Sequence, residues 1–214
     1  MTQRSFRGLL WGLAVIGFFA DQGTKYGMFR WLYSPSLEGR REVVPGAFRF
    51  VAQWQRRPLS PGDGIDQFTG EPLDQDWRHG LQALNGPIKP RVNEGALFGL
   101  AQNYQVYANS FFGVVSVTAA AAIALWSFRR KTCTDRWLCA ALGLILAGTL
   151  GNLFDRVVFG GVRDFLHFYW FEWPVFNVAD SFLVCGAALL LLQAFVAPVK
   201  SKEATPEPAT AAAE

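Results

Sequence analysis

The stretch FNVADSFLVCGAALLLL, Phe176 to Leu192, is apolar enough to cross a membrane, yet it carries a carboxylate, Asp180, close to its start. A charged side chain costs several kcal/mol at the centre of a bilayer, so ionisable residues in or beside such segments are candidates for function. A second carboxylate, Asp164 in GGVRDFLHF, lies a short way upstream, near the end of the preceding apolar run. Two acids bracketing one short loop between apolar runs set the terms for reading the rest of the chain.

The chain has 214 residues, 51% hydrophobic, 15% aromatic and 17% charged. A soluble domain carries about a quarter charged residues, and here the deficit is concentrated in a few long apolar blocks. Each block is near the roughly 20 residues that a helix needs to cross hydrocarbon. The spans are placed at about 8–33, 107–128, 137–159 and 178–198, which predicts an α-helical polytopic membrane protein with four transmembrane helices. The first span follows Arg4 and Arg7 in the manner of a cleavable leader. Its apolar character continues past Ala20, however, and bulky Phe18 stands where a leader wants a small residue, so a retained span is expected. The net charge of +3 comes with no basic cluster interleaved with aromatics, and nucleic acid is not an expected partner. Cys133, Cys139 and Cys185 have neither metal-ligand spacing nor an even-numbered disulfide framework, and those inside apolar runs are expected to pack as small hydrophobes. His79 and His167 are too few and too separated for a zinc site. No cofactor and no metal are expected.

Short basic flanks set the orientation. Arg4 and Arg7 precede the first span, Arg129–Arg136 separate the second and third, and Lys200 and Lys202 follow the fourth. These three segments are expected in the cytoplasm, with both termini, while residues 34–104 and 160–177 face outward. Arginines within 34–104 run against the charge rule, which long translocated segments obey poorly. This outer segment reads as a small β-rich extracytoplasmic module. Glu42–Trp54 is β-prone and partly alternating, hence strand; Arg56–Trp77 is rich in Pro, Gly and Asp, hence loop; Pro87–Leu100 is a second extended piece. Residues 1–200 form one membrane-embedded domain on this reading, and 201–214, small, polar and Pro-containing, a disordered tail.

The polar groups fall toward the outer ends of the spans. Asp21 and Lys25 in ADQGTKYG are four apart with the acid first, the favourable order for a helical ion pair. Asp21 is fourteen residues from Arg7, or roughly 21 Å along a helix. The alternative for this pair is an interfacial anchor with a snorkelling lysine. In GNLFDRVVF, Asn152, Asp155 and Arg156 occupy one turn, with Asn152 and Arg156 on one face; a helix–helix hydrogen-bonding cluster is the favoured reading for Asp155 and Arg156. Asp164 follows the Gly160–Gly161 break, where the chain can leave the helix. Asn177 shares a helical face with Asp180, whose simplest role is a carboxylate at a helix N-terminus. That role does not account for two acids brought to one membrane surface by adjacent spans.

Two carboxylates roughly 3 Å apart cannot both ionise; they share a proton and titrate as a pair. The ionised member can take a proton from water while the neutral one donates to a carbonyl oxygen, as in aspartic-protease chemistry. Proton-relay acids in a proton-coupled carrier are the competing reading, with Asp21, Asp155, Asp164 and Asp180 as the relay. A relay calls for acids spaced through the membrane, whereas these cluster toward one side. A non-enzymatic scaffold with an outer module is the third reading, and it predicts that neither Asp164 nor Asp180 is needed.

At these residues the chain resembles the bacterial lipoprotein signal peptidases, the signal peptidase II family. DQGTK (Asp21 to Lys25), NEGALF (Asn93 to Phe98), GNLFDR, GVRDF and FNVAD (Phe176 to Asp180) each match an element of the family pattern, in the family's order, over about Gly8 to Gln193. Each element is weak alone; five in order are a strong signal. The resemblance implies an aspartyl endopeptidase of the cytoplasmic (inner) membrane, active near its outer face. Its substrates are prolipoproteins, cut before a cysteine already carrying diacylglycerol. It implies that Asp164 and Asp180 are catalytic, that Asn93, Asn152, Arg156 and Asn177 bind substrate or support the site, and that Asp21, Lys25 and Asp155 are structural or lipid-contacting. It also implies four helices with a β-rich cradle and an interfacial helix, membrane phospholipid as a partner, and inhibition by globomycin-type cyclic peptides. Two departures stand out. The outer segment between DQGTK and NEGALF is longer than usual, with the excess near Arg56–His79, and Leu97 and Arg163 replace a small and an apolar residue. Arg163, if turned inward, is expected to depress the pKa of Asp164.

Overall fold

The computed structural model describes residues 5–34, 36, 38–56, 88–95, 105–129, 134–171 and 173–196. Four long helices carry the described chain: α1 (Arg7–Trp31), α2 (Gln105–Ser127), α3 (Arg136–Phe159) and α4 (Val178–Val196). Four short strands join them: β1 (Glu38–Val44), β2 (Phe48–Arg56), β3 (Ile88–Pro90) and β4 (Leu166–Phe168). Helices α2, α3 and α4 are long and apolar enough to cross a membrane. Helix α1 has 25 residues, but the turn Asp21–Lys25 interrupts its apolar face.

The helices run up and down, and contacts at their ends show it. The guanidinium of Arg7, at the start of α1, donates to the carbonyls of Ser127 (3.1 Å) and Phe128 (3.3 Å) at the end of α2. Asp135 caps α3 by accepting from the backbone N–H of Trp137 and Leu138, and it also accepts from Gln193 near the end of α4. One end of the bundle therefore holds the α1 and α3 starts, and the other holds the α3 end and the α4 start.

Helix α3 is the centre. Just over half of its most apolar window, 56%, is buried, against 6% for α2 and 11% for α4. It packs on all three other helices. Small residues allow this: Gly143 faces the backbone of Leu10, and Gly148 faces that of Ala179, the close approach that packs helices in lipid. Leu10, Ala14, Ile123, Cys139, Leu142 and Leu146 form the bundle core. Outward, α2 and α4 expose Phe111, Val114, Leu125, Val184, Leu191 and Phe195, an apolar surface that suits lipid and not water. Cys139 is buried as expected of a small hydrophobe, whereas Cys185 is exposed on that outer face.

The sheet covers the other end. Glu42–Trp54, read as one strand, is the heart of a hairpin. Pro45 and Gly46 make a turn closed by Ala47 N–H to the Val44 carbonyl (3.0 Å), with Gly46 at φ 77°. Proline followed by a left-handed glycine is type II turn chemistry, and it outweighs the β-propensity on either side. Antiparallel β2 pairs with β1 across Glu38↔Gln53, with β4 across Arg49↔His167, and with β3 across Gln55↔Lys89. Phe29, Leu32, Ala52, Trp54 and Phe165 bind this sheet to the end of α1. Trp31, Trp170, Phe171 and Trp173 are exposed at this level, where an aromatic belt meets the water–lipid interface. No interfacial helix occurs among the described residues. The Pro/Gly/Asp-rich loop, Leu97 and the C-terminal tail lie outside the described residues.

Candidate active site

Asp164 and Asp180 come to the sheet-bearing end of the bundle by different routes. Gly160, left-handed at φ 77°, terminates α3, and the chain then runs extended past Val162 to Asp164. Val162 pairs with Asn93 through N–H to carbonyl bonds of 2.8 and 2.9 Å, which brings the NEG segment beside Asp164. Asp180 sits in the first turn of α4. The Asn177 side chain accepts from Asp180 N–H (3.1 Å), and the Asp180 carboxylate accepts from Asn177 N–H (3.1 Å). This is a reciprocal capping box written in Asn and Asp.

Amides link the two carboxylates. Asn177 Nδ2 donates to Asp164 Oδ1 at 2.7 Å, and Asn93 Nδ2 donates to Asp164 Oδ2 at 3.1 Å. Asn152 Nδ2 donates to Asp180 Oδ1 at 2.8 Å, while Asn152 Oδ1 accepts from Asn177 Nδ2 at 3.2 Å. Each acid is thus held by neutral donors that do not take its proton. Asp164, in the loop outside the helices, is pushed up from 3.8 to about 7 by burial and by the neighbouring charge of Asp180, against the pull of the Asn177 and Asn93 bonds.

A second cluster lies directly beneath. Lys25 Nζ donates to Asp21 Oδ2 (2.8 Å) and to Asn152 Oδ1 (3.1 Å), and lies 3.5 Å from Asp155 Oδ2. Arg163 binds Asp155 through its backbone N–H (2.9 Å), Nε (3.1 Å) and Nη2 (2.8 Å). Its guanidinium also donates to Gln22 Oε1 (2.8 Å) and lies 4.2 Å from the ring of Tyr26 and 4.0 Å from that of Phe159. Asp21 reaches across to accept from Ala179 N–H (2.9 Å), satisfying a first-turn donor of α4 that the helix itself leaves open. Gly151 makes room for it: a Cβ there would stand 2.5 Å from Asp21 Oδ2.

Asp164, Asp180, Asn93, Asn152 and Asn177 therefore form one connected group, with Asp21, Lys25 and Asp155 joined to it through Asn152 and the backbone. Arg156 stands at its side. It donates to the Asn152 carbonyl (3.3 Å) and stacks on Phe112, and its buried Nε has no partner among the described residues. Two readings are corrected. Lys25 is fully buried and does not snorkel, because Asp21, Asp155 and Asn152 together solvate its ammonium; of the two roles open to Asp21 and Lys25, enclosure fits the structural one. Arg163 turns to Asp155, not to Asp164, and the Asp164 carboxyl is raised, not lowered. Gln22 was not singled out by sequence. Its amide donates to Asp21, Asp155 and the Gly151 carbonyl, and its place between Asp21 and Lys25 is the only signal of it. Among the described residues no three His, Cys, Asp or Glu side chains converge to hold a metal ion.

A cleft of about 430 Å³ opens from Asp164 and Asn93 onto the face of the sheet, where Arg49, Gln53, Arg91 and His167 line it. His167 is held below the ordinary histidine range by burial and by the charge of Arg49, so it is neutral near pH 7.

These features define an integral membrane protein with two amide-linked carboxylates where its helices meet a small antiparallel sheet. The sequence profile of the family described as Signal peptidase (SPase) II matches residues 79–196, and the chain belongs to that family. It is 40% identical over 116 residues to the lipoprotein signal peptidase of Aeromonas hydrophila, covering 53% of this chain and 68% of that one. It is 39% identical over 149 residues to that of Rhodopirellula baltica (62% and 64%) and 46% over 102 residues to that of Geobacter metallireducens (47% and 62%). The matches thus span about two thirds, or slightly less, of these relatives' length. The fold is similar to two solved structures of a bacterial membrane enzyme, at TM-scores of 0.64 and 0.61. Both are 22% identical; they cover 97% and 93% of this chain and 99% of the solved chains.

Proposed function

We propose that the chain is an intramembrane aspartyl endopeptidase that removes the signal peptide from diacylglyceryl-modified prolipoproteins, cutting before the lipidated cysteine. Family membership supports the peptidase class. The observation that carries the mechanism is the amide bridge Asp164···Asn177···Asn152···Asp180, which links the two carboxylates through neutral donors, with no salt bridge to either among the described residues.

In this reading Asp180 is the ionised member and Asp164 keeps the proton. A water between them gives a proton to Asp180 as its oxygen attacks the scissile carbonyl carbon, and Asp164 protonates the carbonyl oxygen. Collapse of the tetrahedral intermediate returns that proton to Asp164. The leaving amine takes the proton held by Asp180, so the pair ends as it began. Asn93 and Asn177 orient Asp164. Arg156, whose buried Nε has no partner among the described residues, binds a carbonyl of the extended substrate with its fork of donors.

Four transmembrane helices in a bacterial inner membrane, α1 included, complete the proposal, with both termini cytoplasmic. The polar turn of α1 is enclosed by α3, so it needs no lipid to solvate it. The site then faces the outer surface, with phospholipid around the exposed helix faces and the substrate's acyl chains remaining among them.

The test is cleavage of a lipidated prolipoprotein by purified wild type, Asp164→Asn and Asp180→Asn. Globomycin-sensitive cleavage by wild type, lost in both folded variants, supports the reading. Full activity in either variant removes that residue from the mechanism.

A further inference from the structure

The mechanism leaves unused the arginines on the floor of the cleft. Arg40 already pairs with Glu38 at 3.1 Å. Arg49 and Arg91 do not pair with any carboxylate among the described residues. Arg49 is held in place: its Nε donates to His167 Nδ1 at 3.2 Å, and its guanidinium lies 4.5 Å from the ring of Tyr169. Tyr169 is itself fixed, accepting from Gly46 N–H at 2.7 Å and donating to Glu42 at 3.1 Å. His167 can accept that bond because it is neutral. Arg91 is steadied by Gln53 Oε1 at 3.4 Å. Two oriented guanidiniums, neither salt-bridged among the described residues, thus line the same cleft as Asp164.

The occupant follows from the geometry, and this step rests on the proposed function. The signal segment and the acyl chains of a lipidated substrate belong in hydrocarbon. The cleft walls are strands outside the bundle, so only the residues that follow the lipidated cysteine can enter. A volume of about 430 Å³ lies in the range of small-ligand sites, about 300–1,000 Å³, and suits a few extended residues. We infer that Arg49 and Arg91 bind an acidic side chain within the first residues after the lipidated cysteine, making this chain selective for prolipoproteins that carry Asp or Glu among the second to fourth mature positions. Planar guanidiniums suit a carboxylate through paired N–H donors.

The experiment uses the purified full chain in phosphatidylcholine nanodiscs and two diacylglyceryl-modified prolipoproteins, with Asp or Asn at the second to fourth mature positions. The readout is the ratio of their kcat/KM values for wild type, Arg49→Gln and Arg91→Gln. Binding of the two short mature peptides to Asp180→Asn protein is measured in parallel. The expected wild-type ratio is about tenfold in favour of Asp, the scale of one charge-assisted contact in a partly open cleft, falling toward one in both variants. A ratio near one in wild type, or an unchanged ratio in both variants, overturns the inference. If neither precursor is cut but the Asp peptide still binds in an Arg49-dependent way, the peptidase reading fails and the acid-binding cleft stands. If Arg49 and Arg91 respond to added phosphatidylglycerol and not to the peptide acid, the occupant is a lipid headgroup and the inference is overturned.

Discussion

Replacing Asn93 with Ala tests the division of roles between the two acids. Its Nδ2 is one of two amide donors on Asp164, at 3.1 Å, and the Asn177 donor at 2.7 Å remains. Its backbone pairing with Val162 does not involve the side chain, so the NEG segment keeps its place. A hydrogen bond to an ionised acceptor contributes about 1.5–3 kcal/mol. This one is the longer of the two and partly open to solvent, so about 1.5 kcal/mol is the appropriate end. One pH unit corresponds to about 1.36 kcal/mol. The bond favours the charged form, so its loss raises the Asp164 pKa from about 7 by about one pH unit.

Because the mechanism needs Asp164 protonated, activity in wild type falls as pH rises through about 7. In Asn93→Ala that alkaline limb moves about one unit toward higher pH, even though the plateau drops through lost orientation. The assay is kcat/KM for a lipidated precursor from pH 5 to 9, which reports the groups of the free enzyme. The limb belongs to the coupled pair, so its direction is the informative quantity. A limb displaced toward acid, or left in place while the plateau falls, refutes the assignment of Asp164 as the proton-holding member.

Other outcomes follow from the same geometry. Asp164 is raised above its ordinary value in the folded chain, so its contribution to stability is complete below pH 4 and is lost as pH rises through about 7. Asp164→Asn is therefore more heat-stable than wild type at pH 8, by about 1–2 kcal/mol after solvent screening, and the gain shrinks at pH 5; thermal unfolding in detergent at both pH values measures it. Gly151→Ala drives a methyl to 2.5 Å from Asp21 Oδ2, and overpacking costs about 1–3 kcal/mol; loss of both heat stability and cleavage is the expected result. Arg163→Gln leaves Asp21 and Asp155 with Lys25 as the single nearby cation, at a cost of about 3–5 kcal/mol for a broken buried pair, and Arg163→Gln combined with Asp155→Asn regains part of it.

The apolar blocks made the helices legible, because lipid and a shared core ask for the same residues over the same lengths. That Asp164 and Asp180 lie at the same end of the bundle was foreshadowed by a short loop between adjacent spans and by the Gly160 break. What local pattern could not carry was direction. Arg163 adjoins Asp164 in sequence, yet extended backbone turns consecutive side chains to opposite faces, and its guanidinium goes to Asp155. Glu42–Trp54 looked like one strand because its β-prone residues are continuous, and only the Pro45–Gly46 pair marked the fold-back. Gln22 was hidden because one residue's separation on a helix suggests another face, whereas α3 and α4 together present α1 with a wide surface.

Two kinds of polar cluster share this end of the bundle, and their difference bears on function. The lower one balances two acids, Asp21 and Asp155, against two bases, Lys25 and Arg163, all fully buried. A balanced set can fix positions in low dielectric. The upper one has two acids and no salt bridge to either among the described residues; their hydrogen-bonding side chains are asparagines, with Arg156 alongside. Lys25 hydrogen-bonds to it through Asn152 Oδ1, and this contact orients the amide so that Nδ2 faces Asp180. In the proposed mechanism, a cation placed directly on Asp164 or Asp180 would hold that acid ionised and remove the proton the reaction needs. Asparagine at positions 93, 152 and 177 is the residue type that positions a carboxylate and leaves its proton to the reaction.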